Sequence, residues 1–532
     1  MLLNFDVLGL ICSSLTERPD VLSFSVTCST LHPLAVEVAL SMDPIVIYSE
    51  HTVQKLHAVV FADPARRAPH IHALDVSARV SSLPIPSREF MAVITGQFVA
   101  LLEHTTTLRW LQLAINEQYF LRDPSVLSAI ARLRGLRTLS LRSIHSDAPS
   151  WIRTIQSSLR TLSIADLPGG FWTPASVTTC MARFASTLEH LALAKLRTVR
   201  QPLPHIIPFT AVLSLVLDKM RELPELECLM RLFPNLVTLS CDARLDGYAD
   251  QYFINTRERN LEVQERRSWR YLDWVACRTE TLYGLGLKCP VRHLVIDNSP
   301  ARLWNDLLAD SLFQNAPVHL RLSMNVQEFA LEGTTQLQEI FPREGSISHL
   351  SHLVLFVPYD TSLLSAQGRT LQDIWYLLVE TLLSESQHLR LTHLRLVLRI
   401  AVSPNALDEH VAQFQDSASV LDLDPSAMSL THAVQSLRYL FLALGVLFPG
   451  HYWHADGRFA EGERWALSKA WKSSNGVGDW PWQELSRGLS QHIINEEEST
   501  LSEEDEAWLR SSERSRAQGS GSQSRAANDA ER

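Results

Sequence analysis

Apolar positions along the chain recur as a phrase. A leucine-type residue is followed by two variable residues, a second leucine, one variable residue and a third leucine. The phrase reads LRWLQL from Leu108, closes LRGLRTLSL at Leu141, and reads LRTLSI from Leu159 and LEHLAL from Leu188. It goes on as VLSLVL ending at Leu217, LVTLSC from Leu236, VRHLVI from Val291, LSHLVL from Leu350, LTHLRL from Leu391 and LRYLFL from Leu437. Its end alternates apolar and variable positions, which is the period of a strand. Between phrases the period changes to that of a helix. Val177, Cys180, Met181, Phe184 and Leu188 form one stripe, Phe90, Val93, Ile94, Phe98 and Leu101 approximate another, and Ile374, Leu377, Leu378 and Leu382 repeat it. The prediction is a short strand and a helix, repeated.

The first six phrases begin at 108, 136, 159, 188, 212 and 236, spaced by 28, 23, 29, 24 and 24 residues. That is the leucine-rich-repeat range, in which each coil buries its apolar face against the next. The fold class expected is therefore α/β: a short all-α module over residues 1–41, an irregular leucine-rich-repeat solenoid over 42–490, and a polar tail over 491–532. Irregularity shows in the 55 residues between Leu236 and Val291, which hold the charged stretch RERNLEVQERRSWRYLDW and a further candidate phrase, LYGLGL from Leu282. The asparagine that ties one coil to the next occurs only at Asn116, its place being taken by Ile144, Leu167, Leu196 and Met220.

Composition narrows the function classes. With 532 residues, 46% of them hydrophobic, 20% charged and a net charge of −10, the chain can bury a large core but lacks the clustered basic charge that nucleic acid or an anionic membrane requires. The apolar run Tyr439 to Phe448 is about half of the ~20 residues of a membrane helix. Seven scattered cysteines without a C-x-x-C pair argue against a disulfide framework or a zinc site. These features predict an intracellular protein, cytoplasmic or nuclear, with no nucleic-acid or membrane partner. Residues 495–532 carry ten acids and five bases, and RSSERSRAQGSGSQSRAAND within them has almost no apolar content, so disorder is expected there, with room for a short amphipathic helix around Leu501 to Leu509.

The amino-terminal forty residues differ from the rest. Val7, Leu8, Ile11 and Leu15 make one helical stripe, Thr16 to Pro19 break it, Asp20 is placed to cap a second helix with Val21, Leu22, Phe24 and Val26, and a third run holds Leu31, Leu34, Ala35 and Val38. So much apolar surface in forty residues needs a cover, either the first repeat or another chain. The segment resembles the F-box through Leu3, Asp6, Val7, Leu8, Ile11, Leu15, Asp20, Val21, Leu22, Thr27, Cys28 and Leu31, with Asn4 where that family has a proline. The whole chain looks like fungal F-box/leucine-rich-repeat proteins. The resemblance implies a non-catalytic substrate-recognition adaptor of a cullin-RING ubiquitin ligase. In it Leu3, Val7, Leu8, Ile11, Leu15, Leu22, Val26 and Leu31 would meet a Skp-type linker protein joined to the cullin scaffold, and the repeats would bind a protein substrate. A scaffold whose first helices merely cap the array is the rival reading.

Candidate chemistry is sparse. Histidine precedes the middle leucine at His190, His293, His352 and His393, with His319 in a degenerate copy, so stacked strands would line imidazoles up at about 4.8 Å. Metal binding or a pH-sensitive grip is the functional alternative to mere filling of a strand start. His451 and His454, with Asp456, Glu461 and Glu463 nearby, form the densest possible ligand cluster, but without an HExxH pattern. No nucleophile elbow, Walker loop or dinucleotide fingerprint occurs, so no enzyme, cofactor or resident metal is expected. Aromatic and charged residues at variable phrase positions, Trp110, Arg142, His293, Phe356, Arg395 and Phe441, are the expected substrate anchors on the concave face.

Overall fold

The computed structural model describes residues 5–27, 29–42, 44–76, 88–113, 123–142, 151–165, 170–198, 206–243, 245, 250–296, 305–324, 340–341, 349–359, 370–385, 389–401, 407–447, 463–473, 482–486 and 489. The described residues are mixed α/β, with sixteen strands among them in one sheet whose spatial order is the chain order. The chain forms two compact units, residues 1–275 with 284–289, and residues 276–283 with 290–532.

The first unit opens with helices α1 (Phe5–Ser14), α2 (Arg18–Ser25) and α3 (His32–Ser41). Eight strands follow: β1 (Ile45–Ile47), β2 (Ala73–Val76), β3 (Trp110–Leu113), β4 (Thr138–Arg142), β5 (Thr161–Ala165), β6 (His190–Ala194), β7 (Ser214–Met220) and β8 (Thr238–Ala243), each parallel to the last. Their register puts the middle leucine of each phrase beside the next. Leu111, Leu139, Leu162, Leu191, Leu215 and Leu239 are all buried in one continuous ladder, and each such side chain contributes about 1.5–3 kcal/mol. Because parallel neighbours cannot be joined by a tight turn, the segments between strands must cross back, and helices such as Arg88–His104, Pro124–Arg132 and Pro174–Met181 do so. The predicted stripes are buried at Ile94, Phe98, Leu101, Val177, Cys180, Met181, Phe184 and Leu188, while Val93 is exposed.

The second unit repeats the scheme in β10 (Val291–Ile296), β11 (His319–Ser323), β12 (His352–Tyr359), β13 (His393–Ala401) and β14 (Tyr439–Leu447), after β9 (Leu272–Cys277) at the division between units. Leu294, Leu320, Leu353, Leu394 and Leu440 continue the ladder in this unit. Two antiparallel strands close it, β15 (Glu463–Ser473) and β16 (Trp482–Glu484). Lys469, opposite Leu442, bonds Asp424 in the helix Asp424–Ala433 at 2.9 Å, which places a helix on the leucine face.

Two expectations are corrected. LYGLGL is no strand: Thr279–Leu285 is a helix, ended by Gly286 at φ +53°, where an L side chain is strained. The strand of that region is β9, which begins at the end of what had read as a charged stretch and runs three residues past it, preceded by the helix Asp250–Arg266. This helix is held by buried amides. Asn260 Nδ2 donates to Gly284 O at 2.9 Å while its Oδ1 accepts from Leu226 N at 3.0 Å, and Gln264 Nε2 donates to Gly286 O at 2.8 Å. A helix that buries amide side chains shows no apolar stripe, which explains why it was missed. Asp20 is likewise not the cap of α2, which starts two residues earlier after Glu17 with Pro19 in its first turn. Asn116, Ile144 and Leu167 of the asparagine comparison, and the polar tail, fall outside the described residues.

Candidate functional site

Two features concentrate chemistry, one at the amino-terminal helices and one on the strand face opposite the leucines. In the helices, Cys12, Val21, Ala35 and Ala39 form a small core, with Leu15, Phe24, Val38 and Met42 against it. Arg18 closes the module by donating Nε to Ala39 O at 3.1 Å and Nη1 to Pro44 O at 3.3 Å, with Met42 O also in its fork. Ala39 O is one of the carbonyls that the last turn of α3 leaves without an intrahelical partner, and Met42 and Pro44 lie just beyond the helix. The apolar surplus faces outward. Leu10 is 70% and Val26 81% exposed, and Val7, Ile11 and Leu22 are exposed beside them on α1 and α2 or just after.

Of the residues expected at a linker interface, Val7, Ile11, Leu22 and Val26 therefore lie open, and Leu8 and Leu15 are half-buried. Leu31 is 3% exposed and cannot offer surface to a partner. Leu3 and Asn4 fall outside the described residues. Leu10, off the predicted stripe, is the residue that the periodicity missed.

The second feature is a row of rings. Parallel register sets His293 beside His319, His319 beside His352, His352 beside His393 and His393 beside Tyr439. The ring centroids are 4.1, 3.9, 4.1 and 4.5 Å apart, and the last three pairs lie within 16° of parallel. The expected line of imidazoles is thus present in the second unit, closer than the strand spacing because the rings lean into stacking. His190 is not part of it, flanked as it is by Thr161 and Ser214 in the first unit.

Stacking sets the electrostatics. Burial first, then the neighbouring imidazoles, lower the pKa of His319 to about 2; the same two causes, in the same order, hold His352 and His393 at about 3, with Arg292 lowering His352 further and Arg438 His393. These rings are neutral at physiological pH. The tautomer of His393 follows from its neighbour. Thr392 Oγ1 donates to Ser351 O at 3.1 Å, so at 2.8 Å from His393 Nδ1 it accepts that nitrogen's proton. His352 Nδ1 meets Ser351 Oγ at 2.5 Å in the same way. Flat stacking turns the ring nitrogens alongside one another rather than toward a common point. Among the described residues no group of three or more His, Cys, Asp or Glu side chains could hold a metal ion. His451 and His454 lie outside the described residues.

Beside the row, Phe356 stands between Ser323 and Val397, whose small side chains leave its ring open to diagonal neighbours. Three arginines use that space. The guanidinium carbons of Arg321, Arg399 and Arg395 lie 4.4, 4.8 and 5.3 Å from the Phe356 centroid, and Lys472 Nζ stands 5.3 Å from the Tyr439 ring. Arg395 is fully buried, as are Phe356 and Phe441.

That burial corrects the expectation of open substrate anchors. Phe356 belongs to a buried cluster with Val354, Val397 and Ala443, Phe441 to another with Tyr439 and Ala470 against which Leu485 and Leu489 pack, and Arg395 is buried on the same face. Their strands, LVLFV, LRLVLRI and LFLALGV, are near-continuous apolar runs, the pattern of strands covered on both faces. His293 and Trp110 are half-buried, and Arg142 ends β4 in register with Ala165. The first unit keeps the alternation, its non-leucine face carrying half-buried Gln112, Ser140, Ser163, Ala192, Val216 and Ser240 in successive register.

None of the six described cysteines is in a disulfide, and all are buried. Burial pushes the Cys228 thiol up to about 12, far from a nucleophile's range. No described helix is long and apolar enough to cross a membrane. No family model matches the chain, and no curated protein matches it significantly.

Proposed function

We propose that this chain is a non-catalytic substrate-recognition adaptor of a cullin-RING ubiquitin ligase, working in the cytoplasm or nucleus. Its α1–α2 surface docks on a Skp-type linker protein, and its strand array, read as an irregular leucine-rich-repeat solenoid, receives a protein substrate. The observation that carries the reading is the outward-facing set Val7, Leu10, Ile11, Leu22 and Val26 on helices that already own a small core. Exposed aliphatic side chains gathered on one short module mark a surface completed by a second polypeptide. The in-register leucine ladder supports the repeat reading.

The rival, a repeat scaffold with these helices as its cap, draws on a different contact. Glu37 of α3 pairs with Arg66 and stands 3.8 Å from His70, tying the module to the elements that follow. Affinity purification from cells separates the two. The full chain should recover the linker and cullin, and a Leu10→Asp, Val26→Asp chain should lose both while melting at the same temperature. Recovery by both chains, or by neither, would leave the scaffold.

A further inference from the structure

In a chain whose net charge is −10, the first unit collects arginine at one end of its sheet. The segments that enter β3 to β6, residues 103–109, 132–137, 153–160 and 183–189, hold seven arginines and two glutamates, with no lysine or aspartate. Both glutamates are already paired, Glu103 with Arg132 and Glu189 with Arg160. Arg109, Arg134 and Arg137 are exposed and make no side-chain hydrogen bond or ion pair among the described residues.

Backbone pairing keeps these residues in line. Arg137 N donates to Arg109 O at 2.8 Å and Arg160 N to Arg137 O at 2.8 Å, so the three stand at the entrances of successive strands, each about 4.8 Å from the next. Arg134 is held beside them by its neighbour Gly135, where a Cβ would come 3.1 Å from Thr106 O and 3.3 Å from Leu108 O in the turn before Arg109. Like charges on adjacent strands repel, and acidic groups laid along them relieve that repulsion. The Arg160–Glu189 pair is itself open to solvent, so Arg160 can turn to an incoming carboxylate at little cost.

The spacing selects the partner. From Arg109 to Arg160 is two strand spacings, about 10 Å. In an α-helix the i, i+4 and i+7 positions share a face and span about 10.5 Å along the axis. Same-face residues of an extended segment are about 6.7 Å apart, so three of them overshoot the ladder by about 4 Å. We propose that Arg109, Arg137 and Arg160 form a docking ladder for an acidic helix of a partner protein, laid across the strands with carboxylates at i, i+4 and i+7 and with Arg134 at its flank. Guanidinium groups meet carboxylates in bidentate pairs, which fixes the register of the helix as well as matching its charge. The inference goes beyond the adaptor reading and holds whether or not α1 and α2 meet a linker.

The test measures binding of fluorescent peptides to the purified full chain at low ionic strength, where exposed charges act most strongly. One peptide is an alanine–glutamine helix with glutamates at i, i+4 and i+7, and the other carries the same three glutamates spread around the helix. The chain should bind the first roughly fivefold more tightly than the second. Arg137→Gln, at the centre of the ladder, should weaken that binding by a similar factor while the melting temperature stays unchanged, since the side chain is exposed. A chain with Arg109→Glu and Arg137→Glu should reject the acidic helix and bind one with lysines at the same three positions. Equal binding of the two peptides, binding of neither, or binding indifferent to Arg137→Gln would overturn the proposal. So would tighter binding of a single-stranded oligonucleotide than of the first peptide, which would make the ladder a track for phosphates.

Discussion

The stacked imidazoles make the second unit sensitive to acid by an amount that can be worked out. His319, His352 and His393 hold values of about 2, 3 and 3 in the folded protein, against 6.5 when the chain is open. Below pH 6.5 the unfolded chain takes up three protons that the folded chain refuses. Stability is therefore complete above 6.5 and falls steadily as the pH drops toward 3. Each ring loses about 1.4 kcal/mol per pH unit well below 6.5 and half of that at 6.5 itself, so between 6.5 and 5.0 each costs about 1.5–2 kcal/mol and the three about 5. That compares with a total stability of about 5–15 kcal/mol for a domain.

The perturbation is His352→Phe, which keeps a flat ring between His319 and His393 but removes one titrating group. Urea denaturation of both proteins at pH 7.5, 6.5, 5.5 and 5.0, followed by circular dichroism, gives the loss for each. Carboxylates are common to both and cancel in the difference. The variant should lose about 1.5–2 kcal/mol less than the parent between pH 6.5 and 5.0. Equal losses would mean that His352 protonates freely in the folded state, and the reasoning from burial and stacking would fail.

Three further outcomes are expected. Asn260→Ala removes a buried amide that satisfies Leu226 N and Gly284 O, and should cost about 3 kcal/mol in the first unit's urea transition; a loss under ~1 kcal/mol would show that water replaces it. Gly286→Ala forces a side chain into φ +53° with its Cβ 3.1 Å from Arg257 Cγ, and should destabilise by about 1–3 kcal/mol; an unchanged midpoint would contradict the left-handed turn. Val26→Asp lies on an exposed face and should move the melting temperature by less than a degree or two, whereas a large drop would mean that the face is covered within the chain.

All ten leucine phrases form strands, because alternating leucines flanked by helical stripes leave a chain few other ways to bury them. The histidine row was legible for the same reason: once the middle leucines share a register, the residue before each shares it too. What escaped was local exception. In β9 the apolar residues Leu272 and Val275 fall three apart, so WRYLDWVAC lacks the phrase, while LYGLGL imitates it in a helix stopped by Gly286. The arginines were visible, but their burial was not, since one strand's sequence does not say what lies over its second face. The near-continuous apolar runs of β12–β14 carried that signal.

On the adaptor reading proposed above, the closed face of the second unit puts the expected recognition surface elsewhere. A partner cannot reach Phe441 or Arg395 without opening a core, whereas the half-buried row Gln112, Ser140, Ser163, Ala192, Val216 and Ser240 in the first unit presents mostly short side chains in line, with Trp110 at its edge. Substitutions distinguish the two surfaces. Ser163→Arg places bulk and charge on the open row and should abolish substrate labelling in a proximity experiment while leaving the melting temperature nearly unchanged. Phe441→Ala should cost about 3–5 kcal/mol as a cavity and reduce labelling only in proportion to the protein lost. Labelling that survives Ser163→Arg yet disappears with Phe441→Ala at normal protein levels would place recognition on the second unit after all.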